Sequence, residues 1–398
     1  MLTPDRLPLY LPKLNPTDPM KITRIEAIPI EVPLKPGLTT KTAGGEHIVS
    51  PYVIVRIHTD THHVGLGEAT LSPRWSGETS PGCVAAIEGL IAPHLIGEDP
   101  TALTHLRSKI NNAIRYNPFT KAAVEMALWD LTGKALNQPV YQLLGGKLRD
   151  ALPMKMVVGA FPVEQAVALA ERFLQWGAIH LKVKVGLNPA EDIERVRAVR
   201  AAAGPDITIG IDANQGWDLA TARQCLARLE DCNLLFAEQP VPVNDPKDLV
   251  RLRQDTRVPL MADESIFTLA DARRLTELGA ADIFSLYPGK HGGIASTVHI
   301  AHLATAAGLT CSMGSNLELG IATAAMLHVG AAEPGFDNER YPGDYLGPLY
   351  HEADMLKESL TLGPKTAHVP DGPGLGVELD EDQLERYRDT SGRATQLG

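Results

Sequence analysis

The sequence predicts an α/β fold in which a (β/α)8 barrel follows a smaller unit of strands and helices. From about residue 153, seven short β-branched segments recur, and an amphipathic helical segment follows each of them. The residues that end the last six segments are 28, 26, 25, 24 and 26 positions apart. So regular a period favours βα units that close into a barrel. No G-x-G-x-x-G follows the first segment, which disfavours an open dinucleotide-binding sheet.

The chain before the barrel is expected to begin with an extended leader. Prolines stand at positions 4, 8, 12, 16 and 19, without the basic start and apolar core of a secretory signal. The next part alternates apolar and polar residues as strands do, and then turns to helical spacing. We predict a leader at 1–19, an α+β unit at 20–147 and the barrel at 148–345. A segment at 346–398 should return to the first unit and end in disorder.

Charge and composition argue against several classes of protein. The chain carries 37 Lys and Arg against 48 Asp and Glu, a formal net charge of −11. This balance argues against nucleic-acid and anionic-membrane partners. No apolar run approaches the ~18 residues that a membrane span needs. Four scattered cysteines without a C-x-x-C pair predict neither a disulfide framework nor a zinc site, so a cytoplasmic protein is expected.

Three consecutive segments of the predicted barrel end in a carboxylate, at Asp212, Glu238 and Asp263. The C-terminal ends of barrel strands are where such folds place their chemistry. Three carboxylates that converge there repel one another unless a cation binds between them. Oxygen ligands of this charge suit Mg²⁺, with Mn²⁺ as a substitute. The alternative is that each carboxylate caps the following helix or pairs with a loop cation.

The segment before these three carries two lysines, Lys182 and Lys184, whose spacing puts both side chains on one face of the strand. Mutual repulsion and a nearby metal ion are expected to lower their pKa values, so that a neutral amine is available as a general base. The alternative is an edge strand whose lysines face solvent. The apolar residues around them favour the first interpretation.

Four segments in this order, "LKVKVG", "DANQGW", "EQP" and "ADES", resemble the enolase superfamily, in particular the muconate lactonizing enzyme and mandelate racemase family. The helical "AAVEMALWDLTGKALNQPVYQLLGG" and the terminal "DGPGLGVELDED" resemble it too, so the likeness runs from residue 20 to about 387. It implies an α+β capping domain on a modified TIM barrel, one Mg²⁺, and a reaction that begins with removal of the proton α to a carboxylate. It also implies a homo-oligomer of two, four or eight copies.

Carried over residue by residue, the resemblance implies that Asp212, Glu238 and Asp263 are metal ligands. It makes Lys184 the acid/base, while Lys182 supports it or contacts the substrate carboxylate. Asn214 follows the first ligand and is expected to support the metal and substrate. The α-proton of a carboxylate is too weakly acidic for an amine alone, so a metal must stabilise the charge that develops.

The sixth strand departs from the family pattern. The lactonizing branch commonly carries a second catalytic lysine there, and Tyr287 stands in its place. Lys290 follows three residues later, where the family often has another basic residue. The mandelate racemase pattern would need an aspartate at 287 and a histidine near Met313. Tyr287 is expected either to act as a general acid or to pack at the mouth, with an inward-bending Lys290 as a further alternative.

Substrate contacts are expected from the seventh strand and from loops of the capping domain. Ser315 and Glu318 follow the seventh strand, although Glu318 is equally typical of the first turn of a helix. Trp75 lies in the segment "SPRWSGET", a candidate specificity loop. Dipeptide epimerases of this family usually carry Asp-x-Asp on the last strand, and Asp344 stands alone here, which disfavours that substrate class.

These observations predict a Mg²⁺-dependent isomerase acting on a small carboxylate, most like a muconate cycloisomerase. The first alternative is a lyase that dehydrates an acid sugar with Lys184 as the single base. The second is an inactive barrel used for binding, which the retained carboxylates and lysines disfavour. If Tyr287 is a general acid, Tyr287→Phe should lower the rate well over tenfold.

Overall fold

A curled sheet of seven parallel strands forms the larger part of the computed structural model, which describes residues 20–392. Its strands are β7 (Met156–Val158), β8 (His180–Lys184), β9 (Thr208–Asp212), β10 (Leu234–Glu238), β11 (Leu260–Ala262), β12 (Ile283–Leu286) and β13 (Thr310–Met313). They lie side by side in chain order. The predicted α/β barrel type is confirmed, and the predicted segments are the observed strands.

The helices that follow the strands lie on the outside of the sheet. They are α6 (Val163–Trp176), α7 (Pro189–Ala203), α8 (Leu219–Arg228), α9 (Pro246–Asp255), α10 (Leu269–Leu278), α11 (Pro288–His291), α12 (Ile294–Ala306) and α13 (Gly320–Ala332), with a 3₁₀ turn at Glu230–Cys232. The chain begins several of them with a side-chain cap: Asp218 accepts the amide of Thr221 at 2.7 Å, and Thr268 and Asp271 form a capping box. Each βα unit therefore starts its helix directly beyond the strand end.

The eighth place of the barrel is taken by irregular chain. Residues 336–344 make single parallel bridges to both edge strands, Cys311 to Phe336 on one side and Met154 to Gly343 on the other. The amide of Asp344 also donates to the carbonyl of Met313 at 3.0 Å. The segment contains Pro342 followed by Gly343, which do not favour a continuous strand. The predicted eighth βα unit is therefore replaced by a loop that completes the wall.

A first layer precedes the barrel in the chain. Its antiparallel sheet consists of β1 (Ile22–Pro33), β4 (Val49–Thr59) and β5 (Val64–Thr70), and a hairpin of β2 (Thr40–Thr42) and β3 (Gly45–His47) projects from it. Its helices are α1 (Ser80–Ala86), a π-helical turn (Ile87–Ile91), α2 (Ala92–Leu95), α3 (Leu103–Ala113), α4 (Pro118–Ala135) and α5 (Val140–Leu143). Helix α4 is buried along most of its length between this sheet and the barrel.

Two glycines let α4 lie directly on β5. A Cβ atom added at Gly65 or at Gly67 would overlap a backbone carbonyl oxygen of α4, that of Ala127 or of Ala123. On the next turn of α4, buried Asp130 accepts the amide of Leu66 at 2.8 Å. Helix and strand are therefore in backbone contact, with no layer of side chains between them.

Buried carboxylates of the first layer hold it to the barrel. Glu68 on β5 accepts amides at the start of α13, from Leu319 at 2.7 Å and Ala322 at 3.1 Å. Glu125 on α4 accepts the amide of Ile294 at 2.7 Å at the start of α12. Burial raises the pKa of Glu68 to about 8. The first amides of a helix have no partner within that helix, so these hydrogen bonds fix the first layer above the barrel mouth.

The chain after the barrel returns to the earlier layers. It contains α14 (Gly347–Tyr350), β14 (Thr366–His368) and α15 (Glu381–Arg386), and β14 pairs with β6 (Ala151–Pro153). Farther on, the carbonyl of Tyr387 accepts the amide of Glu31 at 3.0 Å. The predicted leader at 1–19 and most of the predicted disordered end, at 393–398, lie outside the described residues. Among residues 20–392, no helix has the length and apolarity to cross a bilayer.

Candidate active site

The polar strand ends meet at one mouth of the barrel. Lys184, Asp212 and Glu238 are the last residues of three neighbouring strands, and Asp263 and Tyr287 follow directly after the next two. A cavity of about 70 Å³ lies above them and extends to the β2–β3 hairpin. It is lined by Thr40, Thr42, His47, Trp75, Val157, Lys182, Lys184, Asp212, Asn214, Glu238, Asp263, Ser315, Asn316, Leu317, Asp344 and Leu346. The expected lysines and carboxylates thus share one enclosed space.

Lys184 lines the cavity, and two hydrogen bonds hold its ammonium group. Its Nζ donates to Asp212 Oδ2 at 2.5 Å and to the amide oxygen of Asn214 at 2.9 Å. Asn214 in turn donates to Glu264 at 3.1 Å. The ammonium group is therefore positioned by side chains at the ends of β9 and β11. About a tenth of the Lys184 side chain stays accessible to solvent (10%). This is the arrangement that a positioned acid/base requires.

Lys182 is more completely enclosed. Its Nζ donates to Asp344 at 2.7 Å and to Glu238 at 2.8 Å, and it lies 3.5 Å from Asp212. Burial alone would lower the pKa of Lys182, but the three carboxylates outweigh burial and raise it well above its usual value. The expectation of a lowered pKa, which rested on repulsion by the second lysine and by a metal ion, is therefore wrong for Lys182, because three carboxylates surround its ammonium group.

Lys290 lies beneath the mouth. Its side chain is fully buried, and its Nζ donates to Asp263 Oδ1, to the carbonyl of Asp263 at 2.9 Å and to the carbonyl of Ser285 at 2.8 Å. It is absent from the residues described as lining the cavity. The alternative in which Lys290 bends inward is therefore not supported by this geometry, which makes it a support for Asp263.

Tyr287 packs in a cluster of rings. Its ring centroid lies 6.3 Å from those of Trp75 and Phe119 and 6.4 Å from that of His291. Burial and the nearby acids, Asp263 foremost, raise the pKa of Tyr287 well above its usual value. The side chain is 1% exposed and, in the described part of the chain, is not among the cavity-lining residues. Of the two expected roles, the structure favours packing.

Three carboxylates at the mouth have the donor chemistry of a Mg²⁺ site. Asp212, Glu238 and Asp263 supply hard oxygen donors of the kind that Mg²⁺ prefers. Burial raises the pKa of Asp263, and the charges of Glu238 and Asp212 raise it further against the effect of Lys290. As positioned, each accepts a hydrogen bond from a lysine, and residues 20–392 contain no group of three acidic, His or Cys side chains arranged to hold an ion. The donor chemistry fits Mg²⁺, while the present side-chain positions are set by the lysines.

The seventh-strand residues are found together. Ser315 Oγ donates to Glu318 Oε2 at 2.6 Å, and the amide of Asn316 donates to the same carboxylate at 3.0 Å. Burial raises the pKa of Glu318 to about 7. Ser315 lines the cavity, whereas Glu318 stands behind it and orders the loop. Trp75 lines the cavity from the first layer, as expected of a specificity loop.

Two site residues, Lys155 and Glu264, were not predicted from the sequence. Lys155 is buried directly before β7. Its Nζ lies 3.3 Å from the carboxylate of Asp344, which also accepts a hydrogen bond from Lys182. Glu264, next to Asp263, is buried with Oε2 unpartnered and has its pKa raised to about 8 by burial and by Asp263. His47, in contrast, belongs to a capping-domain loop that the sequence predicts to contact the substrate. It reaches the cavity from the hairpin, and burial and Lys184 lower its pKa to about 4. The signal for Glu264 was present in "ADES", whereas nothing local marked Lys155.

Comparison with known proteins agrees with this geometry. Residues 24–145 match the family model of the mandelate racemase/muconate lactonizing enzyme N-terminal domain, and residues 165–383 match that of the enolase C-terminal domain-like family. An N-succinyl-L-Arg/Lys racemase of Bacillus cereus is 33% identical over 367 residues, covering 92% of this chain and 97% of the relative. A chloromuconate cycloisomerase of Delftia acidovorans is 34% identical over 369 residues, with the same two coverages of 92% and 97%.

A solved structure of muconate lactonizing enzyme from Pseudomonas fluorescens, complexed with muconolactone, superposes with a TM-score of 0.89. It is 32% identical and covers 94% of this chain and 100% of its own. The relatives are isomerases by name, as the sequence predicted for this chain. The expected resemblance is confirmed, and the chain belongs to the mandelate racemase/muconate lactonizing enzyme family of the enolase superfamily.

Proposed function

We propose that this protein is a Mg²⁺-dependent isomerase that removes the α-proton of a small carboxylate with Lys184 as its single base, most like a muconate cycloisomerase. One observation carries the proposal: Lys184 lines the cavity at the second strand, whereas neither Tyr287 nor Lys290, at the sixth strand, does so among the described residues. Moving a proton from one face of a carbon to the other needs a group on each face. One lysine instead suits reactions that finish on the face where they began.

Lys184 has the geometry for both halves of such a reaction. As a neutral amine it accepts the α-proton, and as an ammonium it returns that proton to the same face or to a leaving group. Asp212 and Asn214 hold its Nζ at 2.5 and 2.9 Å and so fix where the proton goes. In a cycloisomerisation no atom is gained or lost, because the proton that Lys184 removes or adds is balanced by the carbon–oxygen bond that forms or breaks within the substrate.

Lys182 is proposed to hold charge and to leave proton transfer to its neighbour. With carboxylates at 2.7, 2.8 and 3.5 Å its pKa is raised, so it stays an ammonium group that can attract the substrate carboxylate. Asp212, Glu238 and Asp263 would hold the metal. Bound there, Mg²⁺ would supply a Lewis acid that stabilises negative charge on the substrate carboxylate.

A second candidate is the dehydration of a hydroxylated acid by the same base. The observation that favours it is the lining opposite the lysines, where Thr40, Thr42, His47 and Asn316 offer neutral hydrogen-bonding groups. Such groups suit hydroxyls better than they suit the second carboxylate of a muconate. Lys184 would take the α-proton and return it to the departing hydroxyl, which leaves as water.

Proton NMR in D₂O with Mg²⁺ separates these reactions. The wild-type protein would be incubated with muconates, acid sugars and N-acyl amino acids, with Lys184→Met as the control. A lactone formed without loss of atoms supports cycloisomerisation, and a 2-keto acid supports dehydration. Deuterium that enters the α-position with inversion of configuration would contradict the one-base proposal.

Metal dependence is tested separately by calorimetry. Mg²⁺ titrated into the protein should bind at one site per chain, and Asp212→Asn should weaken the binding at least tenfold. Arg257→Ala, an almost fully exposed cation (93%), is the matched control and should leave binding unchanged. No detectable binding at millimolar Mg²⁺ would contradict the metal assignment.

A further inference from the structure

A second cavity lies outside the candidate active site, between the first layer and the barrel. Its volume is about 780 Å³, which is within the range of small-molecule sites. It lies where α3 and the start of α4 face the β11–α10 loop and helices α11 and α12. Trp75 belongs to the linings of both cavities and, with Phe267, forms the apolar wall of the second. The proposed reaction makes no use of this space.

The cavity is cationic in an otherwise acidic protein. Among the described residues, Arg107, Arg115 and Lys121 line it, against one carboxylate, Asp271. That carboxylate already accepts the amide of Thr268 at 2.8 Å in a helix cap. A second carboxylate, Glu125, lies behind the lining, 3.7 Å from Arg107. The chain as a whole carries a net charge of −11, so the local sign is the reverse of the overall one. A concave surface of this kind concentrates anions.

Three buried side-chain nitrogens on this lining lack a partner in the described structure: Arg107 Nη1, His291 Nε2 and His299 Nε2. The residues are 4%, 6% and 9% exposed. An unsatisfied buried polar group costs about 1–3 kcal/mol, so three around one cavity call for a common explanation. A ligand that hydrogen-bonds to them supplies one.

The chemistry of these atoms specifies the ligand. Arg107 Nη1 can only donate, and so selects an anionic oxygen. His291 Nδ1 contacts the carbonyl of Phe267 at 2.9 Å, where only a donor fits, so in the neutral ring Nε2 is an acceptor. Burial and the adjacent Lys290 lower the pKa of His291 well below its usual value, which keeps the ring neutral. The ligand must therefore offer an anionic oxygen and a hydroxyl proton.

We propose that this cavity is a second binding site, for a small oxyanion that also carries a hydroxyl proton, as a hydrogen phosphate or a hydroxycarboxylate does. The Arg107 and Arg115 side chains bind the anionic oxygens, and His291 accepts the hydroxyl proton. Trp75 and Phe267, whose rings lie 4.9 Å apart, cover any apolar part of the ligand. Apart from Trp75, which lines both cavities, the site consists of groups that the proposed reaction does not use.

Calorimetry with inorganic phosphate, sulfate, lactate and acetate at pH 7 tests the assignment. We expect one phosphate per chain, bound at least tenfold more tightly than sulfate, which has the same shape but no hydroxyl proton. If the natural source is a carboxylate, lactate should bind at least tenfold more tightly than acetate. Sulfate or acetate binding as well as its hydroxyl-bearing counterpart would overturn the role of His291, and no binding of any of the four at millimolar concentration would overturn the site.

Variants separate this cavity from the active site. Arg115→Glu should weaken the bound anion at least tenfold, since Arg115 is exposed and its replacement does not disturb the core. Arg257→Glu is the matched charge reversal and should have no effect. Lys184→Met should keep the binding, because an anion held in the active site would be lost instead. Arg107→Met is a second test, although it also lies 3.7 Å from Glu125 and can destabilise the fold.

Sedimentation velocity distinguishes a small ligand from another copy of the chain. Arg115→Glu should leave the oligomeric mass unchanged. A protein that binds none of the four anions, and whose mass falls with this variant, would have the cavity covered by a second copy, and the proposal would be wrong.

Discussion

The second and sixth strands of the barrel both lead to a buried lysine, yet only one of these lysines lines the active-site cavity. Lys184 is the last residue of β8, so its side chain follows the inward direction of the strand. Lys290 comes three residues after Tyr287, within α11, and turns back to Asp263 and Ser285. The distance from the strand end thus decides whether a lysine reaches the cavity or is buried beneath it.

Among the substitutions that test this comparison, we expect the largest effect from Lys184→Met on the second strand, and we expect it on the reaction rate. Lys184→Met should lower the rate of α-proton removal by about 10²–10⁴, the usual contribution of a positioned acid/base. The rate is read from the initial α-proton signal by NMR in D₂O. Lys357→Met, which removes an exposed ion pair with Glu378, is the control and should leave the rate unchanged. A Lys184→Met protein with more than a tenth of wild-type activity would contradict the base assignment.

At the sixth strand the expected effect is on stability. Lys290→Met removes the ammonium that holds Asp263 and leaves a buried carboxylate without its ion pair. We expect a loss of about 3–5 kcal/mol in the free energy of unfolding, measured by urea titration. Lys184→Met should cost less, because its side chain is partly accessible (10%) where Lys290 is fully buried (0%). Equal losses for the two variants would remove the distinction between them.

Acid titration sharpens the comparison on the second-strand side. Burial would raise the pKa of Glu238, but Lys182, Lys155 and Lys184 together lower it to about 2, from 4.5. A carboxyl whose folded pKa is lowered stabilises the fold above pH 4.5, and this stability is lost as the pH falls towards 2. Glu238→Gln should therefore be less stable than wild type by about 2 kcal/mol at pH 5, with the gap closing by pH 3. Urea midpoints at pH 5, 4 and 3 test this, and a constant gap would contradict it.

The smallest expected effect is at Tyr287. Tyr287→Phe keeps the ring contacts with Trp75 and Phe119 and removes only the hydroxyl. The rate should fall less than tenfold, in contrast to the larger loss expected of a general acid. Steady-state kinetics decides between them, and a loss well over tenfold would restore the general-acid role.

The meeting of the strand ends could be predicted from the sequence, because a barrel brings the ends of regularly spaced strands to one mouth. Once the βα units repeat every 24 to 28 residues, Lys184, Asp212 and Glu238 must approach one another, and they do. The lysine pair was likewise placed by the two-residue period of a strand. Each of these inferences depends only on local spacing.

What could not be predicted depends on contacts between distant parts of the chain. Lys155 and Asp344 are 189 positions apart and meet only because residues 336–344 complete the barrel wall. The raised pKa of Lys182 depends on the same segment, because Asp344 is the first of the three carboxylates that raise it. Similarly, the direction of Lys290 is set by the turn of α11, which no periodicity reports.

The backbone contact between β5 and α4 has a consequence for how proteins of this architecture acquire new substrates. Gly65 and Gly67 leave no room for even a methyl group, so any other residue at these positions would push α4 away from β5. The position of α4, which carries Glu125, therefore constrains both glycines. Sequence changes that alter the substrate are therefore expected in the β2–β3 hairpin and in the loop around Trp75, which line the cavity. A designer who wishes to retarget the pocket should randomise those two loops and leave the glycines alone.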